Sequence, residues 1–173
     1  MSKFFSLIIS LISVVGFAQA ENDEQAIQGV LNSFHQAAAN AQTQRYFALM
    51  TDDAVFLGTD ATERWNKNDF RDYVEPYFKR GKGWQYTPQK RNITLINNNQ
   101  TAFFDELLIN TSYGLCRGTG ILIKTVKGWK ISQYNLSVPL PNDIAKGLVQ
   151  QIKKYQESTY QKTHLNNDPI GNK

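Results

Sequence analysis

The sequence predicts an α+β domain, a conical, curved antiparallel β-sheet wrapped by N-terminal helices around a pocket, with a further helix at the C-terminus. Three observations predict it. Apolar residues recur at three- and four-residue steps through the early chain, and at strand-like spacing over residues 84–138. Helical segments come first and long strands follow as a meander, which segregates the helices to one face of the sheet. An aromatic content of 12% suits a sheet built around a pocket. With 173 residues, 41% of them hydrophobic, the chain can bury one real core and is short for two.

The first segment reads as a leader. Met1-Ser2-Lys3 is a short positive start, residues 4–17 are almost unbroken apolar, and Ala18-Gln19-Ala20 has the small-x-small pattern of a cleavage site. Residues 1–20 are therefore expected to be a secretory signal peptide, residues 21–160 the domain, and residues 161–173 a polar, flexible tail. The expected address is the periplasm or the medium. No cysteine stands at the cleavage point, so no lipid anchor is expected there, and no membrane association after cleavage.

In residues 21–41 the stripe Ile27, Val30, Leu31, Phe34, Ala38 and Ala41 predicts a helix. Thr43 can cap a second short helix carrying Tyr46 and Phe47, which Asp52-Asp53 is expected to break before a strand over 54–58. Asn66 or Asn68 can cap a third helix with Phe70, Tyr73, Val74, Tyr77 and Phe78 on one face, kinked or shortened by Pro76. Strands are predicted over 84–96, 101–110, 113–126 and 129–138. The turns between them fall at Asn97-Asn98-Asn99 and Lys127-Gly128. After Pro139-Leu140-Pro141 a last helix carries Ile144, Leu148, Ile152 and Tyr155 on one face.

Composition excludes several functions. The net charge of +4 is spread along the chain, and its densest group (Lys79, Arg80, Lys82) is small, so no nucleic-acid partner is expected. The lone cysteine, Cys116, rules out an internal disulfide and reads as a small buried hydrophobe. His35 and His164 belong to no metal-ligand spacing, so no metal site is expected. Arg117-Gly118-Thr119-Gly120 lies in a strand and opens no helix, which excludes a phosphate loop; no cofactor is expected, and the glycines read as permitting the sheet to bend.

Several short runs come in a familiar order. They are Gly58-Thr59-Asp60 with Glu63-Arg64-Trp65, Phe104-Asp105-Glu106, Arg117-Gly118-Thr119-Gly120, Gly128-Trp129-Lys130-Ile131, and the closing run from Tyr134 through Asn142. Together they resemble SnoaL-like domains of the nuclear transport factor 2-like superfamily over residues 26–142. The resemblance implies the conical fold and a homodimer packed through the sheet. It implies no particular activity, because the superfamily includes isomerases, dehydratases, cyclases, hydrolases and binding domains.

Strict alternation along the last strand puts Trp129, Ile131, Gln133, Asn135 and Ser137 on one face, so Gln133 and Asn135 are expected to point into the cone. Arg117 on the preceding strand is expected beside them, either clamping an anionic ligand or paired with a protein carboxylate. Asp105 and Glu106 are adjacent and must face opposite ways; whichever faces inward is the candidate catalytic base. Asp60, Glu63, Trp65 and His35 are further candidate ligand-binding residues, with Phe34, Tyr46, Trp65 and Ile131 as walls. The leading expectation is an exported protein that binds a small organic molecule. The alternatives are an isomerase, dehydratase or hydrolase using the pocket carboxylate, and a dimerising interaction module whose cone is filled by side chains.

Overall fold

The computed structural model describes residues 22–165, with side chains through Tyr160; the expected signal peptide over residues 1–20 lies outside the described residues. Helix α1 spans residues 22–39. It buries Ile27, Leu31, Phe34, Ala37 and Ala38 along the stripe its periodicity shows. Helix α2 (Thr43–Ala48) buries Tyr46 and Phe47; Gln42, not Thr43, holds the cap position, without a side-chain bond.

Strand β1 (Met50–Leu57) starts earlier than expected, because Asp52 and Asp53 lie within it on its exposed stretch. There an aspartate keeps its hydration, and Asp52 also meets the Lys67 ammonium at 3.0 Å. The three-residue strand β2 (Arg64–Asn66), too short to read by period, pairs with β1. Asn66 then caps α3 (Lys67–Phe78), its side chain accepting from the backbone N–H groups of Asn68 and Asp69. Pro76 does not end α3, since two residues from the terminus its missing N–H removes only the bond to the Asp72 carbonyl.

The meander consists of β3 (Thr87–Ile96), β4 (Thr101–Asn110), β5 (Gly114–Thr125) and β6 (Gly128–Ser137), and the sheet order is β2-β1-β6-β5-β4-β3. All pairings are antiparallel except β1 with β6, which run parallel, a departure from the all-antiparallel expectation. The long chain between β1 and β6 supplies the crossover that parallel pairing requires. Asn97, Asn98 and Asn99 all adopt left-handed backbone (φ 51°, 50° and 59°), a region asparagine tolerates better than most residues.

One irregularity decides which side chains face inward. Ile121 pairs with Gln133 but Leu122 pairs with Ile131, so Ser132 is an extra residue, a β-bulge in β6. Before it Trp129 and Ile131 are buried; after it Tyr134 and Leu136 are. On the neighbouring strands Cys116, Gly118, Gly120 and Leu122 of β5, and Ala102, Phe104, Glu106 and Leu108 of β4, share that inner face. The core lies between this face and helices α1 to α3.

Asp23 ties α1 to the β5–β6 hairpin. Its buried carboxylate accepts from the Trp129 indole N–H (3.1 Å) and from the Lys124 ammonium (2.9 Å). Asp23→Ala strands the indole donor in the core. The expected loss is about 1–3 kcal/mol, read from urea unfolding. A change below about 0.5 kcal/mol would show that the tie contributes nothing net.

A second compact unit begins at Pro139. It carries α4 (Asn142–Leu165), which continues past residue 160, where the tail was expected to start. Its predicted stripe holds, with Ile144, Ile152 and Tyr155 exposed. Among the described residues no helix is long and apolar enough to cross a membrane.

Candidate functional site

Glu106 sits mid-strand on the inner face, opposite Arg91 of β3 and Gly118 of β5, and is fully buried. Both its oxygens are engaged. Oε1 accepts from His35 Nε2 at 2.7 Å and from the Tyr134 hydroxyl at 2.9 Å. Oε2 accepts from Arg91 Nε at 2.8 Å, and Arg91 Nη2 lies 2.6 Å from it. Arg91 Nη1 in turn donates to Gln28 Oε1 and Asn32 Oδ1 of α1. A carboxylate can only accept, so His35 Nε2 carries the proton of that bond, and Nδ1 is left over.

Burial pushes the Glu106 carboxyl up. The His35 hydrogen bond and charge, with the Arg91 guanidinium beside them, outweigh it and hold the group below its ordinary value. Burial, reinforced by the adjacent Glu106 charge, holds the Tyr134 phenol well above its ordinary value, so it remains a donor. Gly118 makes the arrangement possible. A Cβ at that position would stand 2.3 Å from the Tyr134 hydroxyl and 2.9 Å from Glu106 Oε1, so close approach, not bending of the sheet, is what this glycine serves.

Above this network a cavity of about 200 Å³ opens between the sheet and the helices. Its deep part is buried: Phe34, His35, Ala38, Tyr46, Phe56, Phe70, Tyr134 and Leu136. Part-exposed residues form its mouth: Gly58, Thr59, Glu63, Trp65, Tyr73, Trp84, Tyr86 and Tyr113. Rings stack along the wall, with Phe34 on Tyr46 (centroids 4.3 Å apart), Phe56 on Phe70 (3.9 Å) and Trp65 on Tyr73 (5.0 Å). Burial pushes the Tyr86 phenol up to about 12.

The loop between β1 and β2 closes one side of the mouth. The Gly58 N–H donates to the Glu63 carbonyl, and the Asp60 N–H to Glu63 Oε2 at 3.1 Å. Asp60 accepts from the Thr62 hydroxyl and N–H, which lower its carboxyl from the ordinary value.

The sequence expectations divide cleanly. His35, Glu63, Trp65, Phe34 and Tyr46 line the cavity. Ile131 is in the core without lining the cavity, and Asp60 is exposed and engaged within its loop. Arg117, Gln133 and Asn135 are corrected to the outer face, where Arg117 pairs with Ser137, Thr119 with Asn135 and Ile121 with Gln133. The bulge at Ser132 reverses the alternation that placed the two amides inside, and Arg117 shares an open outer hollow with Lys90 and Asp105. Of the two candidate acids Glu106 faces inward, while Asp105 is exposed and accepts from Asn92 at 2.9 Å.

Arg91 and Tyr134 were not singled out from sequence. Arg91 could have been found from its alternation with Ile93 and Leu95, which share the inner side of β3. Tyr134 could not, because no local signal marks the bulge. Cys116 is buried as expected, and burial pushes its thiol up. Among the described residues no three His, Cys, Asp or Glu side chains gather where a metal ion could be held.

Comparison with known proteins adds a family and a fold. A family model described as SnoaL-like domain matches residues 27–141. A domain of unknown function with a cystatin-like fold from Nostoc punctiforme superposes with a TM-score of 0.64 at 16% identity, covering 83% of this chain and 94% of that one. A candidate scytalone dehydratase from Novosphingobium aromaticivorans gives 0.62 at 10% identity, over 72% and 89% of the two chains. A candidate dehydratase of the NTF2-like family from Streptomyces avermitilis gives 0.60 at 12%, over 70% and 99%. At these identities the likeness shows the fold alone. A search of curated proteins found no significant match.

Proposed function

Starting from the fact that the chain belongs to the SnoaL-like domain family, we propose that it is an exported protein that binds a small, flat organic molecule in its aromatic cavity. Export rests on the leader-like pattern of residues 1–20. The observation that carries the binding reading is an open cavity of about 200 Å³ above a carboxylate whose oxygens are already taken up by His35, Tyr134 and Arg91. A carboxylate serving as base needs a free lone pair beside the substrate; this one is committed to holding the floor in place. Such a floor orients a ligand, and the rings above it supply apolar contact. A module whose cone is filled by side chains would have no such cavity.

The test is cavity filling. Ala38 is a buried lining residue, and Ala38→Leu extends side chain into the open volume. A neutral probe such as 3-tert-butylphenol should bind the wild type and quench the fluorescence of Trp65 and Trp84. In the variant its affinity should fall by about tenfold or more, a cost of about 1.4 kcal/mol, with thermal stability kept. Equal affinity in both proteins would put the ligand elsewhere and sink the proposal.

A second reading is favoured by one contact, the 2.7 Å hydrogen bond from His35 to Glu106 in the cavity wall. A carboxylate that orients a histidine leaves the other ring nitrogen available for proton transfer. In this reading His35, and not the carboxylate, is the base of a dehydration or isomerisation. His35→Gln would then cut turnover of a β-hydroxy ketone by about 10²–10⁴ while probe binding stays within a few-fold. No turnover by the wild type across a panel of such ketones would remove this reading.

A further inference from the structure

We infer that the occupant of the cavity is an organic cation, a tertiary or quaternary ammonium carried on a small flat skeleton. This rests on the reading that the cavity binds a small molecule. It comes from the electrostatics of the lining. Ten of the sixteen lining residues are Phe, Tyr or Trp, and none is Lys or Arg, in a chain where Lys and Arg outnumber Asp and Glu by 19 to 15. The faces of aromatic rings are the negative ends of their quadrupoles. A cavity walled by them attracts a cation and disfavours an anion.

The one carboxylate in the lining, Glu63, has the same sign. It stands at the mouth with Tyr73, Tyr86 and Tyr113. Its Oε2 accepts the Asp60 N–H, and among the described residues no lysine or arginine pairs with it. Burial is the main cause of the raised Tyr73 and Tyr86 phenols, and the Glu63 charge adds to both, which puts it within electrostatic reach of the two rings. The two side chains in or beneath the floor able to carry positive charge, Arg91 and His35, both face the Glu106 carboxylate, at 2.6 Å and 2.7 Å. A cation entering the cavity therefore meets ring faces and a carboxylate that no lysine or arginine pairs with among the described residues. Alkylated ammonium groups suit such a site because they are weakly hydrated and lose little on leaving water.

The experiment compares two molecules of one shape on the full chain. (3-Hydroxyphenyl)trimethylammonium and 3-tert-butylphenol differ in that a positive nitrogen replaces a carbon. Calorimetric titration should show the ammonium bound more tightly by about tenfold or more. Glu63→Gln keeps an amide oxygen for the Asp60 N–H, so the loop survives, and it should remove most of that advantage. Tyr113→Leu, at an exposed ring of the mouth, should reduce it as well. If the phenol binds as tightly as the ammonium, or the preference is unchanged in Glu63→Gln, the cation inference is overturned while the binding reading stands. If neither molecule binds, both are overturned.

Discussion

Glu106→Gln should cost about 3–5 kcal/mol of folding stability. The glutamine amide matches the carboxylate in shape but not in charge. It leaves the Arg91 guanidinium, whose side chain is 5% exposed, without a counter-ion in the core. It also sets an NH₂ donor against donors now satisfied, either those of His35 and Tyr134 or those of Arg91. Urea unfolding at neutral pH reads the effect directly. A loss below about 1 kcal/mol would mean that the guanidinium has rehydrated.

The same substitution has a pH signature of definite sign. The Glu106 carboxyl in the folded protein lies below its ordinary value of 4.5. A group depressed on folding contributes stability in full above its unfolded value and loses it as pH falls through the folded one. The wild type therefore keeps this contribution above about pH 4.5 and gives it up in more acid solution. Glu106→Gln has none to lose, so the gap between the two stability curves should close on acidification. A gap constant down to the folded value would assign the stabilisation to shape alone.

Gly120→Ala should be the next most damaging change, at about 3 kcal/mol, the upper part of the range for overpacking a core. A Cβ there would stand 2.1 Å from the Gln133 carbonyl oxygen and 2.9 Å from the Phe104 ring. The first of these is backbone in the paired strand, so relief requires the β5–β6 ladder to open. Gly118→Ala is a different case, since the nearest atom is the Tyr134 hydroxyl oxygen at 2.3 Å, a side-chain terminus. Tyr134→Phe removes that atom. The double variant Gly118→Ala/Tyr134→Phe should thus lose less than the sum of its parts, with a coupling of about 0.5–3 kcal/mol. Strict additivity would show that Gly118 is required for some reason other than this hydroxyl.

The contrast between these glycines indicates what a sequence can and cannot disclose. The strand over 101–110 was legible to the residue, because alternation from Thr101 to Asn110 is unbroken. The inward acid was narrowed to Asp105 or Glu106 by the same period, and only the neighbours on β3 and β5 decide between them. Phe34, Tyr46 and Trp65 were legible as walls because large rings near the first helices have one core to enter. Arg117, Gln133 and Asn135 were misplaced for one physical reason. A bulge changes the phase of a strand without leaving a mark in composition. The closeness of Gly118 to Tyr134 is a contact between strands, and no spacing along the chain encodes it.

That phase change has a consequence for how such a pocket diversifies. Losing Ser132 would leave Ile121 opposite Gln133 and Leu122 opposite Ile131, with Tyr134 and Leu136 still inward, whereas drawing Ser132 into the ladder would send Gln133, Asn135 and Ser137 inward and Tyr134 and Leu136 to the outside. The strand thus spells two interiors, one oily and one hydrophilic, separated by whether one residue is bulged out of the ladder or paired within it. Descendants of one ancestor could switch ligand chemistry by losing the bulge while every side chain in the strand stayed the same, and a deletion of Ser132 would instead lock the present interior in place.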